Sequence, residues 1–421
     1  MNVGIIGSGG REHAICFMLS KSKKVSKIFC FPGNAGTNLI AENVNLNSDN
    51  FSELEKYCIE KDIKLIIVGP EKPLVNGIVD HFKGKSIKIF GPYKISSKLE
   101  GSKIFTKEIC QKNNIPTSKF KICKSLNETI SYLKSIHYPL VVKADGLASG
   151  KGVYICKDFN EAKTAAEEIF NGKFGFTEKI LVEEFLDGEE MSYLVITDGK
   201  NYKFFGSAQD HKRVGEGDVG KNTGGMGCYS PSRLLSDELE FKIQKKIIEP
   251  TLNAISEQGG IYKGFLYVGL MIKNNNPFLI EFNVRMGDPE CQTILPTLTT
   301  DLLDILISCC DGILNKIKIN FSDTKSICIV LCSKGYPEKF ENNIEIKNLE
   351  QLKFHKNQNI FHAGTFKKKN EIISNGGRVL NFVSTSEDFL KCREEVIDLI
   401  KKLNWKNGYF RGDIGHKVIK S

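Results

Sequence analysis

Residues 139–153, Pro-Leu-Val-Val-Lys-Ala-Asp-Gly-Leu-Ala-Ser-Gly-Lys-Gly-Val, constrain this chain more than any other stretch. A short apolar, β-prone run at 140–142 delivers Lys143, a glycine-rich turn spans 146–152, and a second β-prone run follows at 153–156. The pattern reads as a hairpin whose tip offers bare backbone N–H groups and the ammonium groups of Lys143 and Lys151, a combination suited to a polyphosphate. It is not a Walker P-loop. The spacing is one residue short, Gly152 stands where the Mg²⁺-binding hydroxyl belongs, and a strand follows instead of a helix. What remains is a hairpin that closes over ATP as a flap.

The N-terminus opens an α/β unit. Residues 3–6 form a short buried strand, Gly7-Ser-Gly-Gly-Arg-Glu-His13 the turn and residues 14–19 the start of a helix, with an anion site at the helix N-terminus. Arg11 is either a forked cation for that anion or an ordinary surface arginine. A dinucleotide fingerprint fails twice: Glu12 takes the place of the third glycine, and the next strand, 27–31, ends in Pro32-Gly-Asn-Ala-Gly36 without an acidic residue for a ribose. Further buried strands at 65–68 and 87–90 end in Gly69-Pro-Glu-Lys-Pro73 and Gly91-Pro92. Ligands of open parallel sheets bind beyond the carboxyl ends of the strands, so the turns at Gly7, Gly33, Gly69 and Gly91 crowd one edge of an N-terminal domain.

Ser102 is a candidate N-cap for the next helix. Lys103, in its first turn, opposes the helix dipole, which marks either a solvated lysine or a local anion. The flap then belongs to a small segment with a helix at 158–170, apolar at Ala162, Ala165, Ala166, Ile169 and Phe170, and a strand at 179–182 leading into Glu183-Glu-Phe-Leu-Asp-Gly-Glu-Glu190. Its size suits a moving lid. A strand at 191–197 precedes a long polar loop, 209–227, of the kind that is functional or disordered. Residues 241–258 read as helix, and strands at 264–272 and 278–282 pair around Asn274-Asn-Asn-Pro277.

The second of these strands ends in Glu281-Phe-Asn-Val-Arg285, and alternation puts Glu281, Asn283 and Arg285 on one face. A carboxylate and an amide oxygen are hard ligands, suited to a Mg²⁺ that also takes phosphate oxygens. An amphipathic edge strand explains the alternation but not the Gly287-Asp-Pro-Glu290 turn that follows. The tail changes character, with strands at 326–331, 361–366 and 378–383. Ser384-x-x-Glu387 then reads as a capping box leading a helix with Phe389, Val396, Ile397, Ile400 and Leu403 on one face.

Composition mainly excludes. The 13 cysteines include no C-x-x-C pair and show no zinc spacing, which points to buried thiols in a reducing compartment. The N-terminus has no basic region ahead of its apolar run, and no uncharged run is long enough to span a membrane. The lysines behind the net charge of +9 are scattered, so no nucleic-acid stripe is evident. A cytoplasmic protein with neither a membrane nor a nucleic-acid partner is expected.

Gly91-Pro92 followed by Leu99-Glu-Gly-Ser-Lys103, the lysine before the glycine hairpin, the acidic-aromatic hinge and the Glu-x-Asn-x-Arg strand together resemble the ATP-grasp superfamily. Within it the chain resembles the phosphoribosylamine–glycine ligase (glycinamide ribonucleotide synthetase) family. The matching blocks are Gly7-Ser-Gly-Gly-Arg-Glu-His13, Pro32-Gly-Asn-Ala-Gly-Thr37, Val68-Gly-Pro-Glu71, Asp210-His-Lys-Arg213, Asn222-Thr-Gly-Gly-Met-Gly227, Arg285-x-Gly-Asp-Pro-Glu290, His362-Ala-Gly-Thr365 and Gly376-Gly-Arg-Val-Leu380. They run in order through nearly the whole chain.

The resemblance implies an α/β and α+β multidomain protein. An N-terminal parallel-sheet (pre-ATP-grasp) domain would cover 1–102, an ATP-grasp domain 103–321 with a mobile lid at about 118–188, and a C-terminal α+β domain 322–421. It also implies that Lys103 and Lys143 hold the ATP phosphates, that Gly150, Lys151 and Gly152 cover them, that Glu183, Phe185 and Leu186 form the adenine hinge and that Glu190 takes the ribose. Glu281 and Asn283 would bind Mg²⁺ (or Mn²⁺). Gly9, Gly10 and Arg11 would take the phosphate of 5-phosphoribosylamine, with Asn34, Glu71, Thr223, Gly224 and Asp288 completing the substrate site. Arg285 and Asp210 would lie at the reacting centre, near glycine. The implied reaction is ATP-dependent ligation of glycine to 5-phosphoribosylamine by a monomer, through glycyl phosphate and without a nucleophilic side chain.

The departures from the family pattern are small. Lys221 stands for a usual proline, Met286 for a usual aromatic, the segment 173–179 is short, and Gly269 supplies no second carboxylate for the metal. Another ATP-grasp carboxylate–amine ligase would share the lid and metal strand but not the Asn-Ala-Gly-Thr and Thr-Gly-Gly-Met-Gly blocks. A silent ATP-binding module predicts loss of a lysine or of Glu281, and all are present.

Overall fold

The computed structural model describes residues 1–147, 152–175 and 177–419. Strands β1 (Asn2–Gly7), β2 (Lys27–Pro32), β3 (Glu42–Asn43), β4 (Ile63–Val68) and β5 (Lys88–Phe90) form an all-parallel sheet in the order β3-β2-β1-β4-β5. Such sheets are covered on both faces and so demand near-continuous apolar strands. Val3, Ile5, Ile6, Phe29, Cys30, Phe31, Leu65, Ile66 and Ile67 are accordingly buried. The order reverses beside β1, and there the expected turns meet: the Gly33 amide donates to the Gly7 carbonyl (3.1 Å) and the Gly69 amide to the Ile6 carbonyl (3.0 Å). Gly7, at φ +123°, turns the chain back over Glu12.

Strands β6 (Phe120–Cys123), β7 (Leu140–Ala144), β8 (Val153–Cys156) and β9 (Ile180–Glu184) form a separate antiparallel sheet, order β6-β9-β7-β8. Helix Phe159–Phe170 covers it with Ala162, Ala165, Ala166 and Ile169, and is capped by Asp158. The unit has its own hydrophobic core. β7 and β8 are the expected hairpin, Lys143 opposite Val153, and a strand follows the glycine turn. The unit is tied to the rest where Thr117 donates to the Leu279 carbonyl (2.7 Å).

The remaining strands are β10 (Glu189–Asp198), β11 (Tyr202–Asp210), β12 (Arg213–Gly215), β13 (Val219–Asn222), β14 (Gly227–Ser230), β15 (Lys263–Lys273), β16 (Asn276–Asn283), β17 (Lys325–Ser333), β18 (Ile344–Glu345), β19 (Gln358–His362), β20 (Thr365–Lys368), β21 (Glu371–Ser374), β22 (Arg378–Ser386) and β23 (Gly408–Tyr409). One sheet runs β16-β15-β10-β11-β14-β17-β22-β19, with β23 on β17. The tail strands β17, β22 and β19 thus continue the central sheet through β14, and the cleft gains a wall from the C-terminal region. The β15–β16 turn has φ of 49° at Asn274 and 56° at Asn275, the left-handed pair that a tight hairpin needs.

Three local readings change. The polar stretch 209–227 is not an unstructured loop: it folds as the β12–β13 hairpin, turned by Gly217 and Asp218 at φ 71° and 57°. The expected strand at 361–366 is two, because Gly364 hydrogen-bonds Arg378 while β20 leaves to join β21 in another sheet. Ser384 is no helix cap. β22 runs on to Ser386 and keeps it extended, its hydroxyl donates to Glu395 (2.5 Å), and Asp388 caps helix Phe389–Leu403 instead. All 13 cysteines are free, Cys310 half-buried and the others buried. Among the described residues no helix is long and apolar enough to cross a membrane.

Candidate functional site

A cleft of about 740 Å³ lies between the carboxyl edge of the parallel sheet, the β6–β9 unit and the central sheet. Lys103, Lys143, Gly152, Glu183, Phe185, Leu186, Glu190, Asp210, Thr223, Gly224, Glu281, Asn283, Arg285 and Asp288 all line it, as do Gly9, Arg11 and Glu71. Gly150 and Lys151 lie outside the described residues.

At one end Lys143 on β7 reaches Glu183 on β9 (2.8 Å), and the other Glu183 oxygen takes Lys107 (2.9 Å) and Ser118 (2.5 Å). Burial would raise the Glu183 carboxyl, but the two ammonium groups outweigh it and hold it at about 2. Glu183, expected at the adenine hinge, is therefore the countercharge of the lysines. Phe185, 37% exposed, and Leu186 border the cleft just beyond it. Lys107 escaped the sequence reading. It lies one helical turn after Lys103, a spacing that places both on one face.

An anion does sit at this helix N-terminus, beside the lysine of its first turn. Ser102 caps the helix, and Asp145 of the flap base accepts from the Ile104 amide (3.2 Å) and the Ser102 hydroxyl (3.1 Å). Lys103 donates to the Gly146 carbonyl (2.9 Å), and burial lowers its pKa.

Along β16 and just past it, Glu281, Asn283 and Arg285 line the cleft; Phe282 borders it too but is almost wholly buried, and Val284 is buried away from it. Glu190 pairs with Lys212 (2.8 Å), which also stands 4.0 Å from Glu281. Burial pulls the Lys212 ammonium down, but Glu190 and Glu281 hold it well above its ordinary value. Gly269 is the register partner of Glu281 and offers no oxygen side chain. Two hard oxygens fit a divalent cation shared with phosphate oxygens, not one caged by protein alone. Among the described residues no group of three or more His, Cys, Asp or Glu is arranged to hold a metal.

At the other end Arg285 binds Glu71 (3.1 Å) and Glu100 (2.7 Å). Burial pushes Glu100 up to about 7 against the pull of that guanidinium. Burial also works to raise Glu71, but Arg285 and Arg11 bring it below the usual carboxylate range. Arg378 reaches in from β22, donating to the carbonyls of Gly224 and Asp288 (2.6 Å each) beside the Asp288 carboxylate (3.2 Å). The Tyr336 hydroxyl accepts from the Gly224 amide (2.9 Å). Asp210 Oδ1 is buried without a hydrogen-bond partner, and burial together with nearby Glu290 pushes its carboxyl well up. Glu290 itself is anchored by Ser192 (2.9 Å) and Tyr267 (3.0 Å).

The glycine turn after β1 differs from expectation. Its helix N-terminus already holds an anion, the chain's own Glu12, which takes the Gly9 amide and the Arg11 Nε (2.6 Å each), while Asp288 takes the Arg11 amide (3.1 Å). Gly10 does not line the cleft; a Cβ there would collide with Gln292 and Asn381, so its role is close packing. Asn34 does not line it either. Its amide donates to Ser8 (2.8 Å) and His362 (2.8 Å), and its Oδ1 accepts from Gly36 (2.9 Å) and Thr37 (3.0 Å). Every strong polar position on Asn34 is spent bracing the turn. Glu100, Lys212, Glu290 and Arg378 stood inside the quoted blocks but showed no local sign of facing the cleft.

The family described as phosphoribosylglycinamide synthetase matches the chain in three parts: its N domain over residues 1–100, its ATP-grasp (A) domain over 101–291 and its C domain over 326–417. The chain is 42% identical to the phosphoribosylamine–glycine ligase of Haemophilus influenzae, covering 100% of this chain and 99% of that protein. It is 40% identical to that of Brucella melitensis, with the same coverage. The solved phosphoribosylamine–glycine ligase of Thermotoga maritima superposes with a TM-score of 0.85 at 31% identity, over 98% of this chain and 100% of that one. A biotin carboxylase domain from Hydrogenobacter thermophilus, solved with MgADP and bicarbonate, shares the fold alone: TM-score 0.72 at 17% identity, over 95% and 89%.

Proposed function

Because the chain belongs to the phosphoribosylglycinamide synthetase family, we propose that it joins glycine to 5-phosphoribosylamine with ATP, giving glycinamide ribonucleotide, ADP and phosphate in purine biosynthesis. The observation that carries this reading is the cleft in which Lys103 and Lys143, the Glu281–Asn283 edge and the Arg285–Arg378 cluster converge.

On this reading Lys103 and Lys143 neutralise the ATP phosphates, and the backbone at Phe185 and Leu186 reads the adenine. Glu281 and Asn283 would hold Mg²⁺ or Mn²⁺, which supplies charge neutralisation on the phosphate oxygens. A glycine carboxylate oxygen attacks the γ-phosphorus and ADP leaves. The amine nitrogen of phosphoribosylamine then attacks the carbonyl carbon of glycyl phosphate, phosphate departs and the nitrogen loses a proton. Both steps need chiefly positioning and charge stabilisation, so no protein nucleophile is required. An acyl phosphate hydrolyses readily, which gives a lid that excludes water its purpose. Arg285, Asp210 and the Thr223–Gly224 turn face glycine, with Arg11, Glu71 and Asp288 towards the phosphoribosyl end. The enzyme works as a cytoplasmic monomer.

The test is release of ADP from ATP with glycine, with and without phosphoribosylamine, alongside detection of glycinamide ribonucleotide. Product formation that does not depend on both co-substrates overturns the reading.

A further inference from the structure

Arg411 has no exposed surface and does not line the cleft. A buried guanidinium is costly unless its donors are satisfied. Here Nε and Nη2 fork onto Asp413 (2.8 and 2.7 Å), and Nη1 donates to Asp218 Oδ1 and to the Arg213 carbonyl (2.9 Å each). Arg213 and Asp218 belong to the β12–β13 hairpin and its turn. Asp413 completes the loop of contacts by accepting from the Gly217 amide of that turn (2.8 Å).

Further contacts join the same two segments. Glu216 accepts from the Gly412 amide (2.9 Å), the Tyr409 hydroxyl donates to the Val214 carbonyl (2.9 Å), and His211 Nε2 accepts from the Gly415 amide (3.2 Å). Residues 409–415 therefore grip the outside of a hairpin that pairs with no other strand among the described residues. A two-stranded hairpin is marginal by itself.

The root of this hairpin is the cleft wall. Asp210 and Lys212 precede β12, Thr223 and Gly224 follow β13, and the Thr223 amide and hydroxyl both donate to the Lys212 carbonyl (2.7 and 2.9 Å). We propose that Arg411 is a positioning residue: by locking the β12–β13 hairpin onto residues 409–415 it sets Asp210, Thr223 and Gly224 against glycine and phosphoribosylamine, touching neither. This rests on the functional reading above. On that reading ATP is held by Lys103, the β6–β9 unit and β16, which Arg411 does not touch, and Lys212 at the hairpin root is held on the ATP side by Glu190, so the loss of Arg411 falls chiefly on glycine and phosphoribosylamine.

The experiment is steady-state kinetics of the full chain carrying Arg411→Met, with the folded fraction set by thermal unfolding. The expected result is a fall of about tenfold or more in kcat/KM for glycine and phosphoribosylamine, with KM for ATP within about twofold of wild type. Arg411→Lys keeps the charge but not the fork and recovers only part. Asp218→Ala, at a side chain 29% exposed, removes one arm and shows the same split in smaller degree; it carries the test if Arg411→Met does not fold. Wild-type constants in folded Arg411→Met or Asp218→Ala, or an equal loss towards all three substrates, overturns the proposal. A wild-type chain that does not turn over glycine and phosphoribosylamine overturns the functional reading first, and is told apart by needing no variant.

Discussion

Lys143 on β7 and Glu183 on β9 meet at 2.8 Å across neighbouring strands, and neither side chain is more than 8% exposed. The cation proposed for the ATP phosphates is thus held in place by the chain's own carboxylate. The same carboxylate also holds Lys107 at 2.9 Å, so the two lysines share one anchor.

That sharing separates two substitutions. Lys143→Ala leaves Glu183 paired with Lys107, so the protein folds while ATP-dependent ligation is lost. Glu183→Ala strands two buried ammonium groups and lowers stability by about 3–5 kcal/mol, the usual cost of breaking a buried pair. Thermal unfolding and ADP release together check both; full turnover by folded Lys143→Ala removes that lysine from the site.

Glu281 faces the cleft 4.0 Å from Lys212, which keeps Glu190 as a partner, so Glu281→Ala should fold normally. We expect it to abolish ligation at any Mg²⁺ concentration, and chelation of divalent cations to silence the wild type. Wild-type rates from the variant across a Mg²⁺ titration would exclude Glu281 as a ligand.

His13 and His362 set a pH limit. His13 Nδ1 accepts from the His362 amide (2.8 Å), which a proton on Nδ1 forbids. Burial, then the neighbouring His362, lowers His13 well below 6.5, and burial lowers His362 to about 4. The unfolded chain therefore binds more protons between about pH 4 and 6.5, and stability rises with pH across that window. It is fully present above 6.5 and lost as pH falls towards 4. Urea midpoints that do not drop between pH 7 and pH 5 would contradict this.

Arg378 serves two carbonyls and a carboxylate at once. Arg378→Ala frees both the Gly224 turn and Asp288, and kcat/KM for glycine or phosphoribosylamine should fall by about a hundredfold. Lysine should not restore it, because a point charge cannot reproduce the planar fork. An unchanged kcat/KM for both substrates in the alanine variant would show that the C-terminal wall is not part of the site.

Much of the architecture was legible because it is local. Alternation at Glu281-Phe-Asn-Val-Arg285 brought Glu281, Asn283 and Arg285 together, and all three line the cleft, though Phe282 borders it as well; the spacing around Gly152 showed a hairpin where a P-loop motif was tempting. The Ser384 cap failed because strand pairing with Ile327, far back along the chain, outcompeted it. The 209–227 hairpin was hidden because its stability comes from residues 409–415.

The sequence by itself determined most of the strands and turns, since those depend on neighbours within a few residues; the exceptions, Ser384, 209–227 and 361–366, are segments whose partners lie far along the chain. Only the tertiary structure decided which charges meet. Asp288 reaches the Arg11 amide across 277 positions, and Glu71 reaches Arg285 across 214. It also decided that Glu12 fills the first glycine turn, that Asn34 braces that turn, and that Glu183 balances two lysines. Coulomb and hydrogen-bond energies depend on separation in space and on burial, and neither quantity is written in the spacing along the chain.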